Sequence, residues 1–157
     1  MQADMYIIIN KFLEKNSCFR YEISNFAKEN QESKHNLNYW NNQEYYGFGI
    51  AAHGYINGVR YSNPQNLEIY LNNPINNRNE HCISVKEQLE EEIFLGFRKT
   101  EGINIININK KYKIDFDNKY KKQIQKYAPK YIEPTSTGYK LTLEGTLLSN
   151  IILADFI

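Results

Sequence analysis

The stretch Phe-Arg-Tyr-Glu-Ile, at residues 19–23, predicts a short β-strand and decides how the amino-terminal part of the chain is interpreted. Residues 5–15, just before it, predict a helix, because their apolar side chains recur on one face. A helix followed directly by a strand is typical of an α/β barrel. One such unit does not bury both of its faces, so we expect the chain to be a piece of a longer barrel protein.

The segment that follows this strand is irregular and then predicts a hairpin. Residues 24–46 are polar and aromatic with little periodicity, which predicts a long loop. The small-residue run Gly-Phe-Gly-Ile-Ala-Ala at 47–52 comes next. It leads into a predicted β-hairpin of residues 53–56 and 59–62, whose Asn57-Gly58 pair is a strong turn signal. A short helix is expected after the hairpin.

A polar linker at residues 72–79 predicts a boundary between one domain at 1–73 and a second at 74–157. The second domain is predicted to be mostly helical. It has a capping box at Ser84 and Glu87, a helix at about residues 117–127, two short strands and a final helix capped by Thr142. This order resembles a winged helix. The predicted fold class is therefore α+β, with the end of a barrel followed by a winged-helix-like domain.

Composition excludes several classes of protein. The 157 residues carry a net charge of +1, so no overall field marks a nucleic-acid or membrane binder. Cys18 and Cys82 lack any CxxC-type spacing and predict reduced, buried thiols rather than a disulfide or a zinc site. No apolar run reaches the roughly 18 residues of a membrane helix. We therefore expect a soluble, cytoplasmic protein.

The densest group of chemically capable side chains is His-Asn-Leu-Asn-Tyr-Trp at residues 35–40. The imidazole of His35, the amide of Asn36 and the rings of Tyr39 and Trp40 are suited to a flat ligand with polar edges. A second interpretation is that the two rings only close a core and that His35 is an ordinary loop residue. Residue types alone leave both interpretations open.

A second candidate is the run that ends at His53. Gly47 and Gly49 would let a ligand approach the backbone closely, although no helix follows in the manner of a phosphate-binding loop. The alternative is a tightly packed strand. Glu22, Ser24 and Asn25 lie at the end of the predicted barrel strand and would be near its active-site face, or would simply cap the strand.

A third group is basic: residues 110–130 contain eight lysines. Beside a winged helix they suggest a stand-alone module that binds nucleic acid or a protein partner, and this is the alternative function. Lysine without arginine, balanced by the acidic residues at 87–92, more often marks a solvated surface. No HExxH metal site or Ser-His-Asp arrangement is present, so no catalytic or metal-ligating residue is assigned.

Several segments together resemble the HemN-like radical-SAM family, and its HemW branch most. They are Tyr-Glu-Ile-Ser-Asn-Phe-Ala-Lys at 21–28, His-Asn-Leu-Asn-Tyr-Trp at 35–40, Tyr-Tyr-Gly-Phe-Gly-Ile-Ala-Ala-His-Gly at 45–54, and Leu-Thr-Leu-Glu-Gly-Thr-Leu-Leu-Ser-Asn at 141–150. Residues 57–63 and 90–103 continue the resemblance. It therefore extends over nearly the whole chain.

The resemblance implies a radical-SAM barrel with a [4Fe–4S] cluster on a CxxxCxxC motif, S-adenosylmethionine (SAM) and a tetrapyrrole. In the oxidase branch the tetrapyrrole is coproporphyrinogen III; in the HemW branch the role is to bind haem and deliver it to haemoproteins. His35, Asn36, Tyr39 and Trp40 would then face the tetrapyrrole, and Gly47, Gly49 and His53 would border SAM. The CxxxCxxC motif is absent here. We therefore expect the chain to depend on a missing amino-terminal barrel segment and to be inactive alone.

Overall fold

The structure, a computed structural model, describes residues 2–157, and they form a mixed α+β fold as predicted. The elements before the predicted boundary are α1 (Gln2–Lys15), β1 (Phe19–Arg20), β2 (Phe26–Ala27), α2 (Lys34–Trp40), β3 (His53–Ile56), β4 (Val59–Ser62) and α3 (Leu67–Asn72). Strands β1 and β2 pair antiparallel. The β3–β4 hairpin is confirmed, and Asn57 and Gly58 at its turn both have positive φ.

The remaining elements are β5 (Asn79–Cys82), α4 (Val85–Arg98), β6 (Ile103–Asn104), α5 (Ile105–Tyr112), α6 (Phe116–Lys119), α7 (Lys121–Tyr127), β7 (Ile132–Pro134), β8 (Gly138–Leu141), α8 (Leu143–Leu147) and α9 (Ser149–Ala154). Strand β8 lies between β6 and β7. Strand β5 pairs with β4 and extends the hairpin to three antiparallel strands. The capping box of α4 is confirmed.

The hydrophobic core lies in the part of the chain after β5. Helix α4 crosses its centre and buries Leu89, Ile93 and Phe97. Phe116, Ile132, Ile152 and Leu153 surround them and are completely buried. Helix α1, in contrast, buries none of its described residues. The chain after β5 is therefore the structural base on which the earlier elements rest.

The predicted strand at 19–23 is shorter than expected, and the physical reason is a change of partner. After Arg20 the backbone leaves β2 and pairs with the end of α4: the Ile23 N–H donates to the Arg98 carbonyl at 3.0 Å, and the Thr100 N–H donates to the Tyr21 carbonyl at 3.1 Å. These bonds fasten the segment that precedes the candidate site to the core.

Other predictions need correction. The predicted loop at 24–46 contains helix α2, which Ser33 caps, and residues 47–52 form turns rather than a strand. The predicted helix at 117–127 is divided between α6 and α7, and the final helix between α8 and α9. Both cysteines are free, but neither is buried as predicted: Cys18 is partly exposed, and Cys82 is exposed on the open edge strand β5.

Candidate functional site

Helix α2 carries all four residues predicted to face a tetrapyrrole. The Ser33 hydroxyl accepts a hydrogen bond from the Asn36 N–H at 3.3 Å and starts the helix. One side of the helix presents His35 and Tyr39, whose rings meet edge to face with centroids 4.8 Å apart. Tyr39 in turn meets the Tyr45 ring at 4.5 Å. The side chain of His35 is exposed, so its imidazole is accessible to a ligand.

Asn36 and Trp40 lie on the adjacent side of α2 and point toward the core. The Asn36 amide donates to the Tyr21 hydroxyl at 3.2 Å. The Trp40 ring packs under the guanidinium of Arg98, with Cζ 4.8 Å from the ring centroid. The four predicted residues are therefore brought together on one helix, but on two neighbouring sides of it. Only the His35 and Tyr39 side is open, while Asn36 and Trp40 anchor the helix.

The loop at 47–52 is held in shape by its own hydrogen bonds. The Asn63 amide is buried and donates to the carbonyls of Gly47 and Gly49, at 3.1 and 2.8 Å. The N–H groups of the same two glycines donate to the hydroxyls of Tyr61 and Tyr70, at 2.9 and 3.0 Å. The polar backbone groups of both glycines are thus already used inside the protein.

The two glycines serve the backbone in different ways. A Cβ at Gly47 would come within 2.2 Å of the His53 carbonyl oxygen, so only glycine fits there. Gly49 has φ +100°, which a residue with a side chain rarely adopts. His53 begins β3 beside this loop, and its side chain is exposed. Of the three residues predicted to border SAM, His53 is therefore the one free to contact a ligand.

An ionic network that the sequence analysis did not identify joins the hairpin to α4. The Arg60 guanidinium donates to both carboxylate oxygens of Glu91, at 2.8 and 2.7 Å, and to the Asn42 amide oxygen at 3.1 Å. The Glu91 carboxylate raises the pKa of Arg60 above its ordinary value. Asn42 lies two residues after the end of α2, so the network fixes the candidate helix relative to the core. The two charges lie 31 positions apart, and no local spacing pairs them.

A polar cleft of about 170 Å³ opens between α2 and α4. Its lining includes Trp40, Asn41, Lys99, Asn104 and Asn107. The Lys99 ammonium donates to the Asn41 side-chain oxygen at 2.8 Å and pairs with Glu101 at 2.8 Å. The cationic group of this cleft is thus already neutralised.

The basic segment offers less free charge than its composition suggests. Lys111 pairs with Glu92, and Lys126 pairs with Asp155. Lys119 and Lys130 lie over the rings of the tyrosines that follow them, at 5.6 and 5.0 Å. These lysines therefore make contacts within the protein, as expected of a solvated surface.

The chain's own side chains do not fit a [4Fe–4S] cluster. Such a cluster is held by three or four cysteine thiolates, and the sequence has only Cys18 and Cys82. Within residues 2–157, no group of three or more His, Cys, Asp or Glu side chains is arranged to hold a metal ion. No step that depends on a cluster is therefore derived from these residues.

Comparison with known proteins identifies the family. Residues 83–148 match the HemN C-terminal domain. The chain is 38% identical over 161 residues to the heme chaperone HemW of Bacillus subtilis, and 40% identical over 158 residues to that of Lactococcus lactis. Each alignment covers 99% of this chain. The chain belongs to the HemN-like family.

A solved structure of the coproporphyrinogen III oxidase HemN from Escherichia coli, a radical SAM enzyme, has the same fold as this HemN-like chain. The TM-score is 0.72 at 14% sequence identity, and the match covers 98% of this chain and 40% of that one. The chain spans 42% of the length of each of the two HemW relatives. Within residues 2–157, no helix is both long enough and apolar enough to span a membrane.

Proposed function

We propose that this chain is part of a HemN-like radical-SAM protein that binds haem, and that α2 supplies the haem contact. The observation that carries the proposal is the identity of 38% and 40% to two proteins named heme chaperones, over 99% of the chain. The relatives give no support to the alternative, a stand-alone winged-helix-like module for nucleic acid or a protein partner. The contacts of lysines with nearby carboxylates and rings also speak against it.

The geometry of α2 supports a haem contact through His35. A neutral imidazole with an accessible nitrogen is a common axial ligand of haem iron. The edge-to-face contact with Tyr39, at 4.8 Å between ring centroids, orients the His35 ring. In this proposal Asn36 and Trp40 hold the helix in place, and His35 and Tyr39 meet the tetrapyrrole.

The loop at 47–52 is proposed to border SAM. Gly47 and Gly49 shape this border, since their backbone groups are bonded to Asn63, Tyr61 and Tyr70. His53 would then supply the direct contact. Bound SAM provides a deoxyadenosyl group for radical chemistry when a cluster reduces it. This chain's own residues would only position SAM, because they do not fit the cluster.

The proposal also assigns the two parts of the chain. Residues 1–73 would form the end of a radical-SAM barrel, and residues 74–157 a winged-helix-like domain that supports it. The cluster, and with it any oxidase activity, would belong to a further barrel segment. Cys18 and Cys82 are both free, which agrees with a reducing cytoplasm.

Haem titration tests the proposal. Haemin is added to the whole chain and to its His35→Ala and His53→Ala variants, and the Soret band is followed. We expect saturable binding by the wild type and a loss of about tenfold or more in affinity for His35→Ala, about 1.4 kcal/mol, because an iron ligand is removed. His53→Ala should keep haemin binding and should instead weaken SAM binding, measured by calorimetry.

His81→Ala is the matched control. His81 is the third histidine, lies on β5 and is exposed, and its ring is paired with Glu87 at 2.9 Å. This variant should bind haemin and SAM with the affinities of the wild type. Equal haemin binding by wild type and His35→Ala would remove α2 from the haem site. An absence of saturable haemin binding by the wild type would refute the proposed function of this chain.

A further inference from the structure

We infer that Arg98 is the carboxylate-binding residue of the tetrapyrrole site. The inference rests on the proposed function, because it assigns a ligand group to the site on α2. It concerns the acidic side chains at the edge of a tetrapyrrole rather than the iron. Haem carries two propionates and coproporphyrinogen III carries four, so both ligands of the family require cationic partners.

The first observation is that the Arg98 guanidinium is unpaired. Within residues 2–157 it forms no ion pair within 4.0 Å and donates no side-chain hydrogen bond, and its Nε is buried without a partner. The other three arginines each donate from the side chain: Arg20 to Thr146, Arg60 to Glu91 and Arg78 to Asn63. A half-buried arginine is normally paired, because its five N–H donors lose water on burial.

The second observation is that two aromatic rings hold the unpaired group in position. Its Cζ lies 4.8 Å from the Trp40 ring centroid and 5.9 Å from that of Phe94. Stacking fixes the plane of a guanidinium and leaves its edge, where the N–H groups are, for a planar acceptor. Arginine binds carboxylates through two parallel hydrogen bonds along that edge. The fixed orientation thus prepares Arg98 for a carboxylate.

The third observation is a second donor without an acceptor on the same stack. Trp40 Nε1 is also buried and has no hydrogen-bond partner among the described residues. Buried donors are rarely left without an acceptor, so two of them on one stack call for an acceptor that the described residues do not supply. A ligand carboxylate offers two oxygens with several lone pairs, and its negative charge matches Arg98.

Position links this group to the haem contact. Trp40 is five residues after His35 on α2, a rise of about 7.5 Å along the helix at 1.5 Å per residue. That distance is comparable with the size of a porphyrin. A ligand whose iron meets His35 would therefore extend along α2 to the level of Trp40, and Arg98 lies there on the neighbouring side of the helix.

One internal group competes for Arg98. Glu22 Oε2 is buried without a partner, and the Glu22 backbone bridges Lys99, the residue after Arg98. A water molecule between Glu22 and Arg98 would satisfy both groups with no ligand. The experiment must separate this internal pairing from carboxylate binding.

A comparison of haemin with its dimethyl ester tests the inference. The ester keeps the iron and the ring but has no charged propionate. We expect wild type to bind the ester about tenfold more weakly than haemin, since a hydrogen bond to a charged group is lost. Arg98→Gln should bind haemin about tenfold more weakly than wild type does, and should bind the ester as wild type does. Arg98→Lys, which keeps the charge but not the fork, should fall between them.

Lys99→Gln is the matched control, since the Lys99 ammonium is already paired. This substitution should weaken the binding of haemin and of the ester to the same extent, or leave both unchanged. Circular dichroism verifies that each variant is folded; if Arg98→Gln is not, the wild-type comparison and Arg98→Lys decide. If the Arg98 variants lose affinity for haemin and for the ester to the same extent, Arg98 only holds Trp40 in place and does not bind the propionates. Equal binding of haemin by all variants would favour pairing with Glu22, and either result overturns the inference. A wild type that binds the ester but gains nothing from the propionates overturns it while leaving the haem proposal intact.

Discussion

Glu22 combines complete burial with incomplete hydrogen bonding. One carboxylate oxygen, Oε1, accepts from the Ser24 N–H at 2.9 Å and from the Asn25 amide. The other, Oε2, has no partner among the described residues. The first oxygen closes the turn after β1, and the second is buried without a hydrogen bond, which costs free energy. The two oxygens therefore contribute in opposite directions to the stability of the same segment.

Two substitutions at this position should separate these effects. Glu22→Gln keeps an acceptor for Ser24 and Asn25 and removes the charge, so we expect the free energy of unfolding to stay within about 1 kcal/mol of wild type. Glu22→Ala removes the acceptor of both part-buried hydrogen bonds and empties a fully buried side-chain position, so it should cost about 2–4 kcal/mol. Urea unfolding measures both values. An equal loss for Gln and Ala would mean that the carboxylate charge, through a partner of Oε2, contributes to stability.

Helix α4 begins with a reciprocal cap that depends on pH. The Glu87 N–H donates to the Ser84 hydroxyl at 3.3 Å, and the Ser84 N–H donates to the Glu87 carboxylate at 2.8 Å. Hydrogen bonds from the Ser84 side chain and then its backbone, followed by that from His81, lower the pKa of Glu87 from 4.5 to about 2. The folded protein thus holds this carboxylate ionised where the unfolded chain would bind a proton.

The contribution of the cap to stability should therefore be lost in acid. It is fully present above about pH 4.5 and decreases as the pH falls to about 2, since protonation then removes the bonded anion. We expect the melting temperature of wild type to exceed that of Glu87→Gln at pH 6, and the difference to vanish near pH 2. Ser84→Ala removes the largest cause of the shift, so in that variant the loss should be smaller and should be complete at a higher pH. A difference that does not change between pH 6 and 2 would contradict this account.

The elements that the sequence predicted correctly are those fixed by neighbouring residues. The Asn57-Gly58 turn and the Ser84–Glu87 cap are each complete within four residues, so their patterns are visible in the sequence. Strand β5 was missed because its pairing with β4 depends on Arg60 and His81 meeting across the sheet. Helix α2 was missed because its seven residues lack a clear apolar period, although Ser33 is a usable N-cap signal.

At the scale of the whole molecule, the candidate site lies at the junction between the core and the elements that precede it. The sequence grouped His35, Asn36, Tyr39 and Trp40 because they are nearly contiguous, although it did not predict the helix that carries them. It did not predict that Asn36 and Trp40 anchor the helix while His35 and Tyr39 are open, since that depends on where α4 places Arg98. The site is thus a local motif whose orientation is set by distant contacts.

The Arg60–Glu91 pair should be the strongest single link across this junction. Both side chains are about two-thirds buried, at 31% and 30% exposure, and the contact is bidentate. We expect a double-mutant cycle of Arg60→Gln and Glu91→Gln to give a coupling of about 1–2 kcal/mol in urea unfolding. The control is Lys86–Glu90 on the same helix, where Lys86 is 80% exposed and the ions are 3.4 Å apart.

A helix pair at i,i+4 whose lysine is exposed contributes about 0.3–0.5 kcal/mol, so the two cycles should differ severalfold. Breaking the pair should also release Asn42 and loosen the end of α2. Arg60→Gln should therefore speed amide hydrogen exchange in residues 34–42 while leaving the amides at the centre of α4 protected. Equal coupling in both cycles, with unchanged exchange in α2, would show that the apolar contacts of α2 with α4 alone orient the candidate site.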